Sequence, residues 1–545
     1  MPEVPKFAYM FDKIMRHPEF ENRLTTARHT SQVCASWRQI ILECPSIWGN
    51  LIDLDCLQQE SDAWRNEVLL RSEGAAHLAI RGKLTLTYDF LAGEYSKKGV
   101  NAFLENLLYD HWGRIYWLDI QIDCNVDRCS DRVWANLGRA TRKMKFFSVS
   151  FRHNLHPVPP SFSLPPSFTL FAHDAPRLTH FHQNHIPIRK LEAFSTLTSL
   201  VLDSVSDLSI VLEICSRNHS LQTLSLFFGT HPGGPSTEGH LRHVNLPCLS
   251  SLNIVSELRL SMAFLDHVEP GPGCALELTT DSVMGSAPML FLSPDEFVEV
   301  QRIITKYANN YFSHRSDTSL TIGLYPRSGS IRLVARRFGV YIQAFCVPDP
   351  NAQLGPVQVS TLFLGFLRTV DPAYSVKDLT LDVSLPPILD HPTIDFFLTA
   401  MPALETLSIS TSDLISLLNG IDHRYLFPQL RKLVWPFSYP PRTPPPAEVT
   451  ALLIPFLTRR RNLGIPIREI DFSEWSPNSL VNDGPMDVGE LEEVRGLKVV
   501  WNFHQKYTRT KREHVCGTRR RKKLEERLFD DVPEPVEMCE SEEES

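Results

Sequence analysis

Apolar residues recur along most of the chain in one pattern: apolar, two spacers, apolar, one spacer, apolar. Because side chains of a strand alternate between its two faces, the last two apolar positions would share one face of a short strand. Amphipathic stretches between copies, such as 208–215 and 393–401, are suited to helices. The pattern predicts an α/β fold with a strand and a helix per repeat, and its ten copies, the third lacking the last apolar position, start at Ile115, Met144, Leu178, Leu197, Leu221, Leu249, Val376, Leu404, Leu430 and Ile467.

The spacing of the copies indicates an irregular array. Successive starts lie 19 to 37 residues apart within the two blocks that begin at Ile115 and Val376. A strand and a helix every 20–30 residues or so are typical of a leucine-rich-repeat-like solenoid, in which each turn buries its apolar face on the next. A globular βαβ domain with coincidental leucine spacing is the alternative. The predicted repeat domain spans 62–497, and within it 274–347 is less regular, with strands around a helix at 295–312.

The first 56 residues are predicted to form a separate helical domain. One helical stripe carries five apolar residues, Val33, Trp37, Ile40, Ile41 and Cys44. Pro45 ends that helix, and Ile47 and Trp48 continue the apolar surface. Fifty residues do not easily bury two tryptophans alone, so either the following domain or a partner is expected to cover them.

The end of the chain differs in composition from the rest. The whole chain has 55 Lys and Arg against 63 Asp and Glu, a formal net charge of −8, whereas residues 528–545 hold eight acids and no base. Residues 1–527 are therefore formally neutral, which argues against nucleic acid as a partner. We expect 498–545 to be a disordered tail, first basic and then acidic.

Two candidate signals lie in this tail. The basic run Arg519, Arg520, Arg521, Lys522 and Lys523 is typical of a nuclear-import signal, although a solvated run neutralised by the adjacent acids is equally open. Ser541, which precedes three glutamates, is a candidate site for an acid-directed kinase. Both signals bear on localisation or regulation.

Cysteine usage and hydropathy indicate a cytoplasmic or nuclear protein. The eleven cysteines are odd in number and scattered, unlike a disulfide framework. The first residues lack the layout of a signal peptide, and no apolar run approaches the roughly 20 residues that span a bilayer. We therefore expect no membrane partner.

Sequence motifs for catalysis are missing. The chain contains no phosphate-binding loop, dinucleotide fingerprint, zinc-protease motif or nucleophile elbow. The strongest metal candidates are His173, His180, His182 and His185, but two of them fall on a predicted strand and no cysteine or acid nearby completes a set. Cys124 and Cys129 lack a second pair. We therefore predict no catalytic residue, no metal site and no cofactor.

One stretch closely resembles the second half of an F-box. Residues 30–41 read T-S-Q-V-C-A-S-W-R-Q-I-I, and 44–48 read C-P-S-I-W. They look like the large mushroom-type fungal F-box families, which read S-Q-V-C-x-x-W-R-x-I-A and then a proline and a Leu/Ile-Trp pair. The stretches 62–72, 77–80 and 427–433 also resemble those proteins. An F-box usually opens with L-P-x-E-[IL]-L, whereas this chain offers only Val4-Pro5 and scattered apolar residues.

The resemblance implies the recognition subunit of an intracellular Skp-adaptor/cullin/F-box (SCF) ubiquitin ligase. The F-box would dock on the Skp-type adaptor of a cullin-RING ligase through Val33, Cys34, Trp37, Ile40, Ile41, Pro45 and Trp48. Trp37 is equally well explained as core of the F-box. The repeat array would bind an unknown protein substrate for ubiquitin-dependent degradation, without catalysis by this chain.

Two other functions stay open. Because the opening motif is degenerate, the chain is alternatively a non-catalytic repeat scaffold whose F-box no longer binds the adaptor. An enzyme within 274–347 is disfavoured, since no acid/base or nucleophile constellation is visible there.

Overall fold

The chain divides into two compact units, Met1–Cys274 and Ala275–Ser545. The computed structural model describes residues 23–58, 61–74, 77–86, 88–89, 94–95, 99–124, 135–152, 168–184, 194–203, 205, 207–228, 241–280, 293–315, 319–325, 330–335, 337–343, 364–365, 367, 376–383, 392–409, 415, 418–420, 426–435, 446–473, 489–505 and 508–518. Both units contain helices and mostly parallel strands.

Four helices open the described part of the first unit: α1 (Arg23–Thr30), α2 (Ala35–Glu43), α3 (Pro45–Gly49) and α4 (Asp62–Arg71). Helix α2 ends at Glu43 because Cys44, which precedes a proline, is extended (φ −101°, ψ 95°). Ser61 caps α4 by accepting a hydrogen bond from the Ala63 N–H. Arg65 of α4 is fully buried, and its guanidinium donates to Leu57 O at 2.8 Å.

Twelve strands are described in the first unit: β1 (Ile52–Asp53), β2 (Leu78–Leu86), β3 (Tyr88–Asp89), β4 (Glu94–Tyr95), β5 (Ile115–Cys124), β6 (Phe146–Arg152), β7 (His180–Gln183), β8 (Ser199–Asp203), β9 (Thr223–Phe227), β10 (Val244–Leu246), β11 (Ser251–Val255) and β12 (Val268–Pro270). Eight of them form one parallel set and pair in the order β1-β2-β5-β6-β7-β8-β9-β11. Strands β10 and β12 form a separate parallel pair, and β3 with β4 an antiparallel one.

The repeated apolar positions form rows across these strands. One buried row consists of Leu118, Phe147, Phe181, Leu200, Leu224 and Leu252, which are partners in register. The next row places Gln183, from the copy that lacks its last apolar residue, between Val149 and Leu202, and Gln183 is buried too. Burying one large apolar side chain contributes about 1.5–3 kcal/mol, so these rows are the core of the unit.

Three further helices belong to the first unit: α5 (Val100–His111), α6 (Leu208–Arg217) and α7 (Leu258–His267). Asp207 caps α6 by accepting a hydrogen bond from Ser209 N at 2.8 Å. Asn218, fully buried at the end of α6, links neighbouring repeats through hydrogen bonds from its side chain to their backbone groups. Its amide donates to Phe194 O and Ile214 O, and its carbonyl accepts from Leu197 N at 3.0 Å.

Ten strands are described in the second unit: β13 (Ala275–Thr280), β14 (Ser319–Tyr325), β15 (Ser330–Ala335), β16 (Phe338–Gln343), β17 (Asp378–Val383), β18 (Thr406–Ile409), β19 (Lys432–Val434), β20 (Glu469–Phe472), β21 (Lys498–Gln505) and β22 (Thr508–Val515). They pair in the order β13-β16-β15-β14-β17-β18-β19-β20-β21-β22. The pairs β14–β15, β15–β16 and β21–β22 are antiparallel, and the others are parallel. A three-stranded meander thus explains the irregular segment predicted around 274–347.

Three helices of eight or more residues are described in the second unit: α8 (Pro294–His314), α9 (Pro392–Thr399) and α10 (Pro446–Asn462). Helix α8 opens with a capping box, in which Ser293 Oγ accepts from Glu296 N and the Glu296 carboxylate accepts from Ser293 N. Helix α10 carries Arg460, whose buried guanidinium donates to the carbonyls of Leu426 and Phe427 at 2.8 Å each. Burial lowers the pKa of Arg460 to about 10, so it stays charged at neutral pH.

The predicted mixed α/β class is confirmed, and each of the ten copies contains a strand, although β19 ends at Val434, one residue before the last apolar position of its copy, Trp435. The boundary of the tail at 498 is wrong. Strands β21 and β22, residues 498–505 and 508–515, form an antiparallel hairpin. It joins the sheet through β20, with Val499 and Val500 buried while charged residues occupy outward positions. The remainder of the predicted tail, 519–545, lies outside the described residues.

Candidate functional site

Two of the seven residues predicted to bind an adaptor lie in the core of the first unit. Ile41 and Trp48 are buried, and the Trp48 indole N–H donates to Ile41 O at 2.6 Å. The Trp48 ring also meets the edge of Trp64, with centroids 6.1 Å apart, and the Arg71 guanidinium lies 5.0 Å from its centroid. These contacts tie α2, α3 and α4 together, so both residues support the helices from inside.

The other five residues lie closer to the surface. Val33 is 68% exposed in the turn before α2, and Cys34, the N-cap of that helix, is exposed as well. Trp37, Ile40 and Pro45 are half-buried. Val33 and Cys34 are therefore the most accessible of the seven residues to a partner.

Several other sequence candidates lie outside the described residues. They are the basic run Arg519–Lys523, the serine Ser541, His185, Cys129 and the N-terminal residues Val4 and Pro5. Among the histidines that are described, His180 and His182 lie on β7, and His173 lies in a 3₁₀ turn (Leu170–His173).

An aromatic stack lies on the outward face of the first unit's parallel strands. Trp117, Phe146 and His180 are partners in register on β5, β6 and β7. The Trp117 and Phe146 rings are parallel within 1°, with centroids 3.7 Å apart, and the His180 ring follows at 5.6 Å. Arg81 of β2 places its guanidinium 4.6 Å from the Trp117 centroid. We call these four residues the aromatic row.

The rings of the aromatic row are partly exposed, and some of its polar atoms lack hydrogen bonds. Trp117 and Phe146 keep part of their surface exposed. Among the described residues, Arg81 Nε and Trp117 Nε1 have no hydrogen-bond partner although both atoms are buried. Stacked aromatic pairs and cation–π contacts contribute about 0.5–2 kcal/mol each, so the row is a fixed surface whose exposed ring edges a partner side chain can contact.

A second outward row lies beside the aromatic row. Ser148 Oγ and His182 Nδ1 are 3.2 Å apart across β6 and β7. Burial raises the pKa of the Asp203 carboxyl on β8, and the charge of His182 acts against that increase. Burial also lowers the pKa of His180, which favours its neutral form. The face therefore offers aromatic surface together with hydrogen-bonding groups.

The corresponding face of the second unit is different because its charges pair with each other. Lys432 Nζ lies 2.8 Å from Glu469 and 2.7 Å from Asp471, and Lys498 Nζ lies 2.9 Å from Glu513. Burial disfavours the charged form of Lys432, yet its hydrogen bonds to Asp471 and Glu469 outweigh burial and raise its pKa. Since these charges are already paired, the aromatic row is the better candidate for binding a partner.

Three metal-ligating side chains, which the sequence prediction missed, also meet in the second unit. Glu492, in a 3₁₀ helix (Gly489–Glu493), contacts His514 of β22, and Cys516 follows in the next turn. The ligating atoms of the three side chains all lie within 4.8 Å of one another. Burial, with the charge of Glu492, raises the pKa of the Cys516 thiol to about 12. The H-x-C spacing at 514–516 is the only local signal; the glutamate lies 22 residues earlier.

The aromatic row is easier to recognise in the sequence than the Glu492, His514 and Cys516 cluster. Its members on β5 and β6 occupy spacer positions directly before the buried apolar residues Leu118 and Phe147, where the other copies mostly have small polar or charged residues.

None of the helices in the described ranges is long and apolar enough to cross a membrane. No protein-family model matches this chain, and no curated protein matches it either.

Proposed function

We propose that this chain is the substrate-recognition subunit of an SCF ubiquitin ligase. Its N-terminal helices would bind a Skp-type adaptor, and its strand-and-helix array would act as a leucine-rich-repeat-like solenoid that binds a protein substrate. The observation that carries the proposal is the pairing of eight parallel strands almost entirely in chain order, with an outward face that bears the aromatic row. Stacked repeats of this kind commonly present such faces to partners.

The N-terminal helices support the adaptor part of the proposal. Val33 is an apolar residue with 68% of its surface exposed, so an adaptor that covers it would remove apolar surface from water. Cys34 lies next to it, and Trp37 and Ile40 lie half-buried on the following helix. Tryptophan is among the residue types enriched in interface hot spots, so Trp37 is the strongest anchor candidate of the four. Ile41 and Trp48 would hold these four residues in place rather than touch the adaptor.

The outward face of the first unit supports the substrate part. The partly exposed rings of the aromatic row suit extended peptides that carry aromatic or aliphatic side chains, which could contact the ring edges. In this mechanism the chain contributes only by positioning the substrate. A bound substrate lysine is held near the ubiquitin carrier of the assembled ligase, which raises the effective concentration of the two reactants. We assign no catalytic residue to this chain.

The test is binding of the full chain to a purified Skp-type adaptor, measured by isothermal titration calorimetry. We expect the wild type to bind and Val33→Asp to bind at least about 10-fold more weakly, because a charge would be buried without a partner. Val298→Asp is the matched control, since Val298 is 67% exposed on helix α8, in the second unit. Equal affinities of the two variants would mean that the adaptor does not use the Val33 surface.

A repeat scaffold without adaptor binding is the second candidate function. It is favoured by the degenerate opening motif of the F-box-like segment, where Phe7 stands at the usual glutamate position. If the folded full chain fails to bind the adaptor, the ligase function is rejected and the scaffold remains.

A further inference from the structure

Glu492, His514 and Cys516 bring three different metal-ligating groups to one place in the second unit. They come from the 3₁₀ helix Gly489–Glu493, from the end of β22 and from the turn after it. The carboxylate oxygen, the imidazole nitrogen and the sulfur all lie within 4.8 Å of one another. His514 and Cys516 are buried, whereas Glu492 is half-buried.

Backbone hydrogen bonds hold two of these groups in position. Cys516 N donates to Leu497 O at 2.8 Å, and Cys516 O accepts from Gly496 N at 3.0 Å. Gly517 N donates to Glu492 Oε2 at 2.7 Å, which orients the carboxylate and leaves Oε1 toward His514. Such outer contacts are typical of metal sites, where they fix the direction of each ligand. A side chain at position 517 would collide with Arg495, and Gly517 has a φ of +76°.

We propose that Glu492, His514 and Cys516 bind one zinc ion through a carboxylate oxygen, an imidazole nitrogen and a thiolate. Zinc accepts all three ligand types at about 2.0–2.3 Å, which places tetrahedral ligands roughly 3.3–3.8 Å from one another. Because no pair of ligating atoms lies more than 4.8 Å apart, a filled site requires shifts of at most about 1.5 Å, and His514 would move away from the carboxylate. A fourth position stays open for water.

Charge and ligand type favour zinc over other common cations. A thiolate and a carboxylate together neutralise one divalent cation, so the filled site carries no net charge in its largely buried surroundings. Binding forms a zinc–sulfur bond in place of the S–H bond, and the thiol proton leaves to solvent. For His514 to bind zinc through Nε2, the proton that this nitrogen shares with Glu492 must also leave it, to solvent or, by a change of tautomer, to Nδ1. Magnesium and calcium prefer oxygen ligands only, so the sulfur disfavours them.

The simplest rival is a structural hydrogen bond without a metal. In that case the Glu492–His514 contact joins the 3₁₀ helix to the β21–β22 hairpin, and the buried Cys516 thiol is inert. A cysteine nucleophile is disfavoured because the thiol is fully buried. The two remaining explanations differ in one measurable property, which is affinity for zinc.

The experiment measures zinc binding by the chelator-treated full chain in competition with a chromophoric chelator. We expect one zinc per chain for the wild type, and affinity at least about 100-fold lower for Cys516→Ser and for His514→Gln, since losing even an outer partner costs about 10–100-fold. Cys215→Ser is the matched control, because Cys215 is a fully buried free cysteine in α6 of the first unit. Circular dichroism establishes that each variant is folded.

A second measurement does not depend on variants. Zinc X-ray absorption of the loaded wild type should show one sulfur and otherwise nitrogen or oxygen ligands, and cobalt(II) should produce a thiolate charge-transfer band. The proposal is overturned if the wild type binds no zinc, if the zinc shell contains no sulfur or several, or if Cys516→Ser and His514→Gln bind as tightly as Cys215→Ser. None of these results would affect the proposed adaptor binding, which concerns the first unit.

Discussion

Two tryptophans of the first unit differ in what their indole N–H groups meet. The Trp48 N–H donates to the buried carbonyl of Ile41 at 2.6 Å. The Trp117 N–H is buried in the aromatic row without a hydrogen-bond partner among the described residues. Replacing either residue by phenylalanine keeps a large aromatic ring and removes the indole N–H. The two substitutions therefore compare an N–H that donates a hydrogen bond with one that has no acceptor among the described residues.

We expect Trp48→Phe to lower the free energy of unfolding of the first unit by about 1–3 kcal/mol, because the Ile41 carbonyl loses its partner in a buried place. Trp117→Phe should cost less than about 1 kcal/mol, since it also removes a buried donor that has no acceptor. Denaturant titration followed by far-ultraviolet circular dichroism measures both. Equal losses would contradict the role assigned to the Trp48 hydrogen bond.

A single amide also connects neighbouring repeats. Asn218 is buried and makes three hydrogen bonds to the backbone groups of Phe194, Leu197 and Ile214. Asn218→Ala would leave these groups unpaired, and we expect a loss of about 2–4 kcal/mol in the same titration. Asn106→Ala, an exposed position on α5, is the control and should stay within about 0.5 kcal/mol of the wild type. A small effect at Asn218 would mean that water replaces the amide.

At the scale of elements, local pattern predicted the strands with repeated apolar positions well. The pairs Leu200/Leu202 and Leu224/Leu226 lie two residues apart, and each pair is buried on one face of a strand. The β21–β22 hairpin escaped the prediction because its inward positions include His514, and alternating Thr, Arg, Lys and Glu are typical of solvated segments as well.

Contacts that depend on register were not predictable from the sequence. Trp117 and Phe146 lie 29 residues apart, and they stack only because β5 and β6 pair with those two positions opposite each other. Glu492 meets His514 for a similar reason, since the hairpin brings residue 514 back beside the 3₁₀ helix. The candidate adaptor residues were found by local motif, but their division into buried and exposed depends on how α2, α3 and α4 pack.

Helix α10 is joined to the turn before β19 by one buried cation. Arg460 donates to Leu426 O, Phe427 O and Leu430 O, and Phe427 adopts a positive φ of 47° within that turn. Arg460→Met keeps the length of the side chain but leaves the carbonyls unpaired, so we expect the second unit to lose about 3 kcal/mol. Arg461→Met is the control, because Arg461 is exposed on the same helix. Thermal unfolding by calorimetry measures both variants, and equal melting temperatures would contradict this role.

The paired charges of β19 and β20 predict an acid-sensitive element. Burial acts to raise the pKa of Asp471, but hydrogen bonds from Lys432 and Ser473 outweigh it and lower the pKa below its ordinary value. A carboxylate with a lowered folded pKa stabilises the protein above its unfolded pKa, and this contribution is lost as the pH falls through the folded value.

We therefore expect Asp471→Asn to flatten the acid side of the stability–pH curve of the second unit. Asp395→Asn, an exposed position on α9, should leave the shape of that curve unchanged. Urea denaturation at a series of pH values from neutral to acid provides the curve. An unchanged slope for Asp471→Asn would mean that another carboxylate causes the acid sensitivity.

At the scale of the whole molecule, the sequence prediction and the structure differ most in where the folded part of the chain ends. Composition places a boundary at 498, where basic residues begin to dominate. The hairpin of β21 and β22 moves it to at least 518, because Val499, Val500 and Cys516 are buried there and β21 pairs with β20.

Two truncations distinguish these boundaries. Removing 519–545 should leave the melting temperature of the second unit unchanged, because every described residue of β21, β22 and the following turn is kept. Removing 498–545 should lower it strongly, since each large apolar side chain that loses burial costs about 1.5–3 kcal/mol. It would also leave β20 as an edge strand with unpaired backbone groups, which promotes association. Calorimetry measures the stability and size-exclusion chromatography the association. If both truncated chains have the melting temperature of the full-length protein and stay monodisperse, the hairpin does not contribute to the stable fold. The folded part would then end near residue 498, as the composition predicts.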